Sequence, residues 1–284
     1  MNYKDITIGI VTYKSESVIF NCLDSIKKIK NVIIFDNSKD IALKNRIKKK
    51  YPHIKFIISS KNSGYGSGNN SIIKICNTPY IYILSPDTIL NKNNEVELLR
   101  AIKKKKDFSI IAPLAKENNF GNFSGKLINK KKDIYEVDFI KGFAMLFNKK
   151  KIKNIGMFDE NIFLYLEEID LCKRLRMINE KIYICKKSKI RHLGAKSSDI
   201  GFNYDKCRNW HWMWSQVYFE KKFQNNIKVN FKYSFKLIYN ILRFLIFLFL
   251  LNKKHAIISY FRFSGIFNGL IGKKSWYRPL LKKI

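Results

Sequence analysis

Two acidic residues stand close behind short apolar runs in the first third of the sequence. Asp36 ends the run 32–36, and Asp87 follows the run 80–84. A carboxylate in such a place can accept hydrogen bonds from a nucleotide, or bind Mg²⁺ or Mn²⁺ together with substrate phosphates. Asp-Asn-Ser and Pro-Asp are also ordinary turn and helix-cap sequences, so both interpretations stay open for each residue.

A glycine-rich block over residues 62–70 is suited to close approach of a ligand. Gly64, Gly66 and Gly68 fall within five residues, and glycine tolerates both a crowded backbone and positive φ. The block precedes a predicted helix, whose N-terminus would favour a phosphate. It is neither a Walker loop nor the G-x-G-x-x-G dinucleotide pattern. The alternative is a flexible loop that binds nothing.

A second acidic group lies near the middle of the chain. Adjacent carboxylates disfavour joint ionisation, which raises the pKa of one of them and suits a general base. The alternative is a charged helix face, in which Asp170 pairs with Arg174 four residues later. Further on stands His192, either a structural histidine or a ligand. The acidic residues are Asp159, Glu160, Glu167, Glu168 and Asp170.

The elements that must position these groups alternate between β-rich runs and helical stretches. Near-continuous apolar strands between helices predict a parallel sheet covered on both faces. Ligands of such sheets bind past the carboxyl ends of the strands, so an α/β fold with a site at one sheet edge is expected. Strands are predicted at 6–13, 32–36, 56–59 and 80–84, and helices at 15–28, 41–50 and 67–76.

The middle of the chain is less regular. Residues 120–135 predict an irregular loop or hairpin, and 139–147 form an apolar stretch that contains Gly142. Residues 163–179 predict a helix with one apolar stripe. Short strands are predicted at 182–185 and 189–192.

The composition changes after residue 220. Residues 221–284 contain 14 Lys or Arg and no Asp or Glu, within a chain of formal net charge +33. So basic a chain favours an anionic partner, with compositional bias as the alternative. The clean apolar run 244–251 is far shorter than the roughly 20 residues of a spanning helix, and the tail suits helices lying in a membrane interface. A helical subdomain and a homodimer contact are the alternatives.

The cysteines give no sign of a disulfide framework or a zinc site. There are five, an odd number, and no two form a C-x-x-C pair. This usage fits a reducing compartment.

The order of the blocks resembles the family 2 glycosyltransferases with a GT-A fold, specifically their bacterial rhamnosyltransferase-like branch. That branch has an aspartate after the second strand, a glycine-rich block and an N-P-D sequence. A G-x-F-D-E segment, a Y-x-E-D-x-D-L helix and a histidine follow. The matching blocks here are Asp36, Asn62 to Asn70, Ser85-Pro86-Asp87, Gly156 to Glu160, Tyr165 to Leu171, and His192.

The resemblance implies a role for each matching residue. Asp36 would contact the nucleotide base, Asp87 would bind Mg²⁺ or Mn²⁺, and His192 would complete the metal site. Glu168 would be the general base. The donor nucleotide would lie against Thr12, Tyr13, Asp36, Asn62, Gly64, Gly66, Asn69, Ser85 and Pro86, and the acceptor side would include Gly142, Asp159, Glu160 and Tyr165.

Two positions depart from the family pattern. Ser85 stands where Asp or Asn is usual, so metal binding would depend on Asp87, His192 and the donor diphosphate. The usual Glu-Asp is Glu167-Glu168, and the longer side chain matters because a displacement of about 1 Å affects catalysis. Either glutamate could be the base, and Glu168 is favoured.

The resemblance implies a metal-dependent, inverting transferase with a Rossmann-like GT-A domain over 1–220 and a basic, apolar helical extension over 221–284. Its donor would be a dTDP- or UDP-sugar, rhamnose-like in preference. Its acceptor would be lipid-linked or a surface glycan, in synthesis of bacterial O-antigen, lipooligosaccharide or capsule. The enzyme would sit peripherally on the cytoplasmic face of the cell membrane.

Several alternatives stay open beside this expectation. A hexosyl- or galactofuranosyltransferase of the same family shares these blocks, and a catalytically inactive membrane scaffold is a further hypothesis. A nucleic-acid binder is not expected, because the charge is accompanied by no nucleic-acid motif.

Overall fold

The computed structural model describes residues 2–117, 120–121, 123–124, 133–194, 197–198 and 200–279. The chain divides into two compact units. The first comprises Met1–Asp159 and Glu168–Asp199, and the second comprises Glu160–Glu167 and Ile200–Ile284. Residue 220, where the composition changes, lies inside a long helix of the second unit, and the division predicted at that residue stays a prediction.

Within the described residues, the first unit contains a ten-stranded mixed sheet. Its main path runs β3-β2-β1-β4-β11-β6-β12-β5. Strands β1 to β4 pair in parallel, whereas β11 is antiparallel to both of its neighbours. The strands are β1 (Ile6–Thr12), β2 (Val32–Asp36), β3 (Lys55–Ile58), β4 (Tyr80–Leu84), β5 (Thr88–Leu90), β6 (Ile110–Glu117), β7 (Phe120–Gly121), β8 (Phe123–Ser124), β9 (Ile134–Glu136), β10 (Phe139–Ile140), β11 (Ala144–Asn148) and β12 (Ile182–His192).

Helices cover both faces of this sheet. Alternate residues of a strand point to opposite faces, so Ile8 of β1 packs in one hydrophobic cluster and Val11 in the other. The first cluster holds residues of α1, α2 and α4, and the second those of α3, α5 and α6. These helices are α1 (Glu16–Ser25), α2 (Ile41–Lys50), α3 (Tyr65–Ile75), α4 (Asn94–Lys104), α5 (Lys149–Asn154) and α6 (Glu167–Met177).

Close approach of α3 to β1 explains two glycines. A Cβ on Gly9 of β1 would lie 3.0 Å from Ile72 Cγ2 of α3, and one on Gly68 of α3 would lie 2.9 Å from Val11 Cγ1 of β1. Gly68 of the glycine-rich block is therefore required for packing.

The predicted strands and helices of the first third are present. Strands β2 and β4 and helix α2 have the predicted bounds, and α3 begins at Tyr65 rather than at residue 67. Most of the predicted loop over 120–135 lies outside the described residues. The helix predicted at 163–179 begins only at Glu167, because Tyr165 and Leu166 have φ of 68° and 69°, outside the right-handed helical region.

The two short strands predicted near His192 form one strand, β12. Its pairing with β6 shifts between Cys185 and Lys189. The residues of this bulge leave the ladder, and the strand then continues to pair with β5 at Ile190, Arg191 and His192.

The second unit is helical, with α7 (Phe202–Phe223), α8 (Asn226–Phe249) and α9 (Lys253–Leu270). A Cβ on Gly265 would meet the Trp210 carbonyl oxygen at 2.3 Å, so glycine lets α9 cross close to α7. Buried His211 donates from Nε2 to the Tyr277 carbonyl and accepts from Ser275 at Nδ1. Burial lowers its pKa to about 3, and the charge of Arg278 adds to the effect. Neutral His211 thus fixes the segment after α9.

Among the described residues, no helix combines the length and hydropathy that crossing a membrane requires.

Candidate active site

The carboxyl ends of β1 and β2 meet at Asp36. Its carboxylate is fully buried and accepts four hydrogen bonds, from the hydroxyls of Thr12 and Ser38 and the backbone N–H groups of Ser38 and Asp40. Four bonds fill the acceptor capacity of a carboxylate. Asp36 therefore ties the two strand ends together, and its contact with a nucleotide base stays a prediction.

Asn37 builds the glycine-rich loop, a role that sequence reasoning missed. Its Nδ2 donates to the Gly64 carbonyl at 3.0 Å, and its Oδ1 accepts from the backbone N–H and hydroxyl of Ser63. Asn62 accepts from the Gly64 N–H at 3.1 Å. Gly64, at φ 89°, caps α3, so the predicted donor-side residues Asn62 and Gly64 share one ordered turn. The position of Asn37, a polar residue directly after a strand, could have identified it as a site residue from the sequence.

Two buried asparagines follow on α3. Asn70 pairs with the backbone of Phe158 through both amide atoms, at 2.9 and 3.0 Å, and so fixes the segment before Asp159. Asn69 is fully buried and donates to the Tyr65 carbonyl. Its Oδ1 has no hydrogen-bond partner within the described ranges. A buried acceptor without a hydrogen bond raises the free energy of the folded state. A hydrogen-bond donor on a bound ligand would remove this cost.

Asp87 and His192 lie side by side, as the resemblance required. Pairing of β5 with β12 sets His192 opposite Thr88, and His192 Nε2 is 3.3 Å from Asp87 Oδ1. Ser85 Oγ donates to the same oxygen at 2.6 Å. The Phe143 ring stacks on the imidazole at 4.1 Å. Ser85, the unusual residue, thus orients the carboxylate.

The electrostatics of Asp87 favour its ionised form. Burial raises the pKa of Asp87, but the hydrogen bond and charge of His192 and the bond from Ser85 outweigh burial and hold that pKa below its ordinary value. Within the described part of the chain, no cluster of three or more His, Cys, Asp or Glu side chains could hold a metal ion. One carboxylate and one imidazole do suit an ion that takes its remaining ligands from substrate phosphates.

Glu168 stands in the first turn of α6, where a helix N-terminus favours negative charge. Burial raises the pKa of Glu168 above its ordinary value, although its carboxylate accepts bonds from the N–H groups of Glu168, Gly142 and Ile169 and feels the charge of Lys141. The Tyr65 hydroxyl donates to the Gly142 carbonyl at 2.6 Å. Gly142 thus joins the helix of the glycine-rich block to the carboxylate of Glu168.

Asp170 and Arg174 form the predicted i,i+4 ion pair at 2.7 Å. Arg174 also donates to the carbonyls of Ile155 and Met157, and Asp170 is fully buried. Asp170 is therefore structural.

The remaining predicted residues are placed as follows. Glu167 is buried and, with Glu160 and Tyr165, belongs to the second unit. The acceptor-side roles of Asp159, Glu160 and Tyr165 stay predictions, as do the donor-side roles of Tyr13, Gly66 and Pro86.

Known proteins share this sequence pattern. The family model described as Glycosyl transferase family 2 matches residues 7–183. The low-salt glycan biosynthesis hexosyltransferase Agl10 of Haloferax volcanii is 30% identical over 201 residues, 64% of this chain and 64% of that protein. This chain therefore spans less than two thirds of that relative. The rhamnosyltransferase WbbL of Escherichia coli is 25% identical over 209 residues, 62% of this chain and 78% of that protein.

A solved structure shares the fold. The mannosyltransferase PcManGT of Pyrobaculum calidifontis, in complex with GDP-Man and Mn²⁺, superposes with a TM-score of 0.58 at 11% identity. The superposition covers 95% of this chain and 88% of that chain.

Proposed function

This chain belongs to glycosyl transferase family 2 and has a GT-A fold, and from that premise we propose that it transfers a hexose-class sugar from a nucleoside-diphosphate donor with inversion. The observation that carries the proposal is the contact of Asp87 with His192 at the edge of the sheet. Similarity to a hexosyltransferase and a rhamnosyltransferase supports a hexose or 6-deoxyhexose as the sugar, with rhamnose favoured.

Asp87 and His192 would hold a divalent cation, Mg²⁺ or Mn²⁺. When bound, such an ion neutralises charge on the diphosphate leaving group. The ionised state of Asp87 and the ring orientation imposed by Phe143 prepare both groups for this role. A structural relative solved with Mn²⁺ gives further support.

Glu168 would take the proton from the acceptor hydroxyl as that oxygen attacks the anomeric carbon. The carbon–oxygen bond to the diphosphate breaks on the opposite face, which inverts the configuration. General-base catalysis is most efficient when the pKa of the base approaches the working pH, and the raised pKa of Glu168 moves in that direction.

The second unit supports attachment to a membrane surface. One face of α8 carries an apolar stripe of residues spaced three and four apart, each 53–87% exposed. Exposed apolar area of this extent marks an interaction surface. The stripe consists of Ile227, Phe231, Phe235, Ile238, Leu242, Leu245 and Phe249.

Charge supports a lipid surface over other partners of this stripe. Residues 221–284 contain 14 Lys or Arg and no acid, and basic groups beside an interfacial apolar helix are attracted to anionic lipids. We place the protein peripherally on the cytoplasmic face of the cell membrane, where a lipid-linked glycan acceptor is accessible.

A panel of nucleotide sugars tests the proposal. Purified protein is incubated with each donor and Mg²⁺, Mn²⁺ or EDTA, and release of nucleoside diphosphate is measured. We expect turnover of at least one donor that EDTA abolishes and that Asp87→Ala and His192→Ala lack. His53→Ala, which removes an exposed histidine of the first unit, is the matched control and should be fully active. Absence of donor binding and turnover across the panel would favour the inactive scaffold.

A further inference from the structure

A pocket of about 390 Å³ opens within the second unit. This volume falls in the range of small-molecule sites, about 300–1,000 Å³. Every lining residue belongs to the second unit. Apart from Tyr165, which is predicted to lie on the acceptor side, none of them has a role in the proposed transfer. The lining residues are Tyr165, Asp205, Arg208, Asn209, Trp212 and Arg262.

Helix α7 supplies most of the wall. Asp205, Arg208 and Trp212 are spaced three and four residues apart, so they share one face of the helix. Arg262 comes from α9. Arg208 and Arg262 therefore line one concave space, although they come from different helices.

Both guanidinium groups retain hydrogen-bonding capacity. Arg262 donates from Nε to Asn209 Oδ1 at 2.7 Å, which fixes its plane. Arg208 lies 5.8 Å from the Tyr204 ring centroid and has no hydrogen bond or ion pair with any residue that the structure describes. A guanidinium has five N–H donors, in a planar fork that matches phosphate oxygens.

Arg262 lies close to two further positive charges. Burial lowers the pKa of Arg262, and the positive charges of Arg243 and Arg208 lower it further. Asp205 is the single acid of the pocket wall. An anion between the two arginines would relieve the repulsion between them.

The rest of the wall suits a sugar ring. The Trp212 side chain is exposed and meets the Tyr165 ring edge-on, with 5.6 Å between the ring centroids. A flat indole offers an apolar surface, while Asp205 accepts hydrogen bonds from hydroxyl groups. The pocket wall thus contains groups suited to a phosphate and groups suited to a sugar ring.

We propose that this pocket binds the acceptor through a diphosphate held by Arg208 and Arg262 and a sugar packed on Trp212. This assignment rests on the proposed function and narrows its acceptor to a glycan attached through a diphosphate.

Intrinsic fluorescence gives a direct binding measurement. All four tryptophans of the chain, at 210, 212, 214 and 276, belong to the second unit. The probe is decyl diphosphate-linked N-acetylglucosamine, and the comparison compound is decyl N-acetylglucosaminide, which has no phosphate. We expect the diphosphate probe to bind at least tenfold more tightly, with a signal that Trp212→Phe removes.

Single substitutions locate the phosphate. Arg208→Ala should weaken binding of the diphosphate probe about tenfold or more, as loss of a charge-assisted hydrogen bond does, and leave the neutral glycoside unaffected. Arg262→Lys keeps the positive charge but loses the planar fork of N–H donors. It should therefore weaken binding of the diphosphate probe less than Arg208→Ala does. Lys206→Ala removes a charge from the same helix outside the pocket and should bind as wild type.

Several results would overturn the assignment. One is equal affinity for the diphosphate probe and the neutral glycoside. Another is wild-type affinity of Arg208→Ala for the diphosphate probe. A third is a Trp212-dependent fluorescence response to UDP as strong as the response to the probe. An equally strong, Arg208-dependent response to phosphatidylglycerol vesicles would assign the pocket to lipid headgroups instead. The two conclusions fail separately, because the probe assay contains no donor and the donor panel contains no acceptor.

Discussion

Glu168 combines two properties that single substitutions can separate. Its carboxylate must be ionised to accept a proton, yet burial raises its pKa above the ordinary 4.5. Activity should therefore fall on the acid side at a higher pH than an exposed glutamate would give. Glu168→Gln should lower the transfer rate by about 10²–10⁴-fold, measured as sugar transfer by a folded variant. A Glu168→Gln enzyme of full activity would shift the role to Glu167.

The same pKa shift predicts how stability depends on pH. Since the folded state holds the proton of Glu168 more tightly than the unfolded chain, stability contributed by this group falls as pH rises from about 4.5 through the raised pKa. Glu168→Gln does not titrate. As pH rises through this window, the melting temperature of the variant should therefore increase relative to that of the wild type. Thermal unfolding of both proteins at each pH measures this difference. A difference independent of pH would contradict the raised pKa.

Arg174 tests the structural assignment of the neighbouring acid. Arg174→Leu leaves Asp170 buried without its ion pair, so it should destabilise the fold by about 3–5 kcal/mol, measured by denaturant unfolding. Arg176→Leu is the matched control two residues later, because Arg176 pairs with Glu136 near the surface. That variant should cost less than about 1 kcal/mol. Similar losses for both would contradict a structural role of the Asp170 pair.

The sequence predicted which side chains come together where these follow or end strands that meet at one edge of the sheet. Asp87 and His192 are examples, because each follows or ends an apolar strand. Asp36 shows the limit, since the hydroxyls of Thr12 and Ser38 that fill its carboxylate have no distinctive sequence pattern. The Arg208–Arg262 pair was equally invisible, because two helices bring it together.

At the scale of elements, the contact of α3 with β1 has a direct test. Gly68→Ala would set a methyl group 2.9 and 3.0 Å from the two γ carbons of Val11, and overpacking of this kind costs about 1–3 kcal/mol. Val11→Ala removes both γ carbons. The double variant should therefore lose less stability than the two single variants combined, measured by denaturant unfolding. Strict additivity would show that α3 is not limited by Val11.

Element positions were predictable where local periodicity alone decides them, as for β2, α2 and β4. The start of α6 was not, because the apolar stripe of residues 163–179 gives no sign of the positive φ at Tyr165 and Leu166. The antiparallel insertion of β11 between β4 and β6 was also hidden. An apolar strand has the same pattern in either direction, so only the assembled sheet reveals its orientation.

At the scale of the whole molecule, the apolar stripe of α8 predicts binding to vesicles. Phe235→Glu with Leu242→Glu should reduce co-sedimentation with phosphatidylglycerol-containing vesicles by tenfold or more, because each lost apolar contact is worth about 1.5–3 kcal/mol. Ile41→Glu is the control, since Ile41 is 64% exposed on α2 of the first unit. If the double variant sediments with vesicles as the wild type does, the apolar stripe would instead be the contact surface for a second copy of the chain. Measuring the oligomeric state of the protein would test that alternative.

The pairing of β5 with β12 also has a consequence for the order of folding. Asp87 and His192 come from distant parts of the sequence, and contacts of large sequence separation form slowly because a long loop must close first. During synthesis, β1, β2 and β4 emerge long before β12 exists. A chain interrupted before Ile182 would possess the parallel half of the sheet and the glycine-rich loop, yet it would lack the partner of Asp87. The contact of Asp87 with His192 can therefore form only after β12 has been synthesised and has paired with β5.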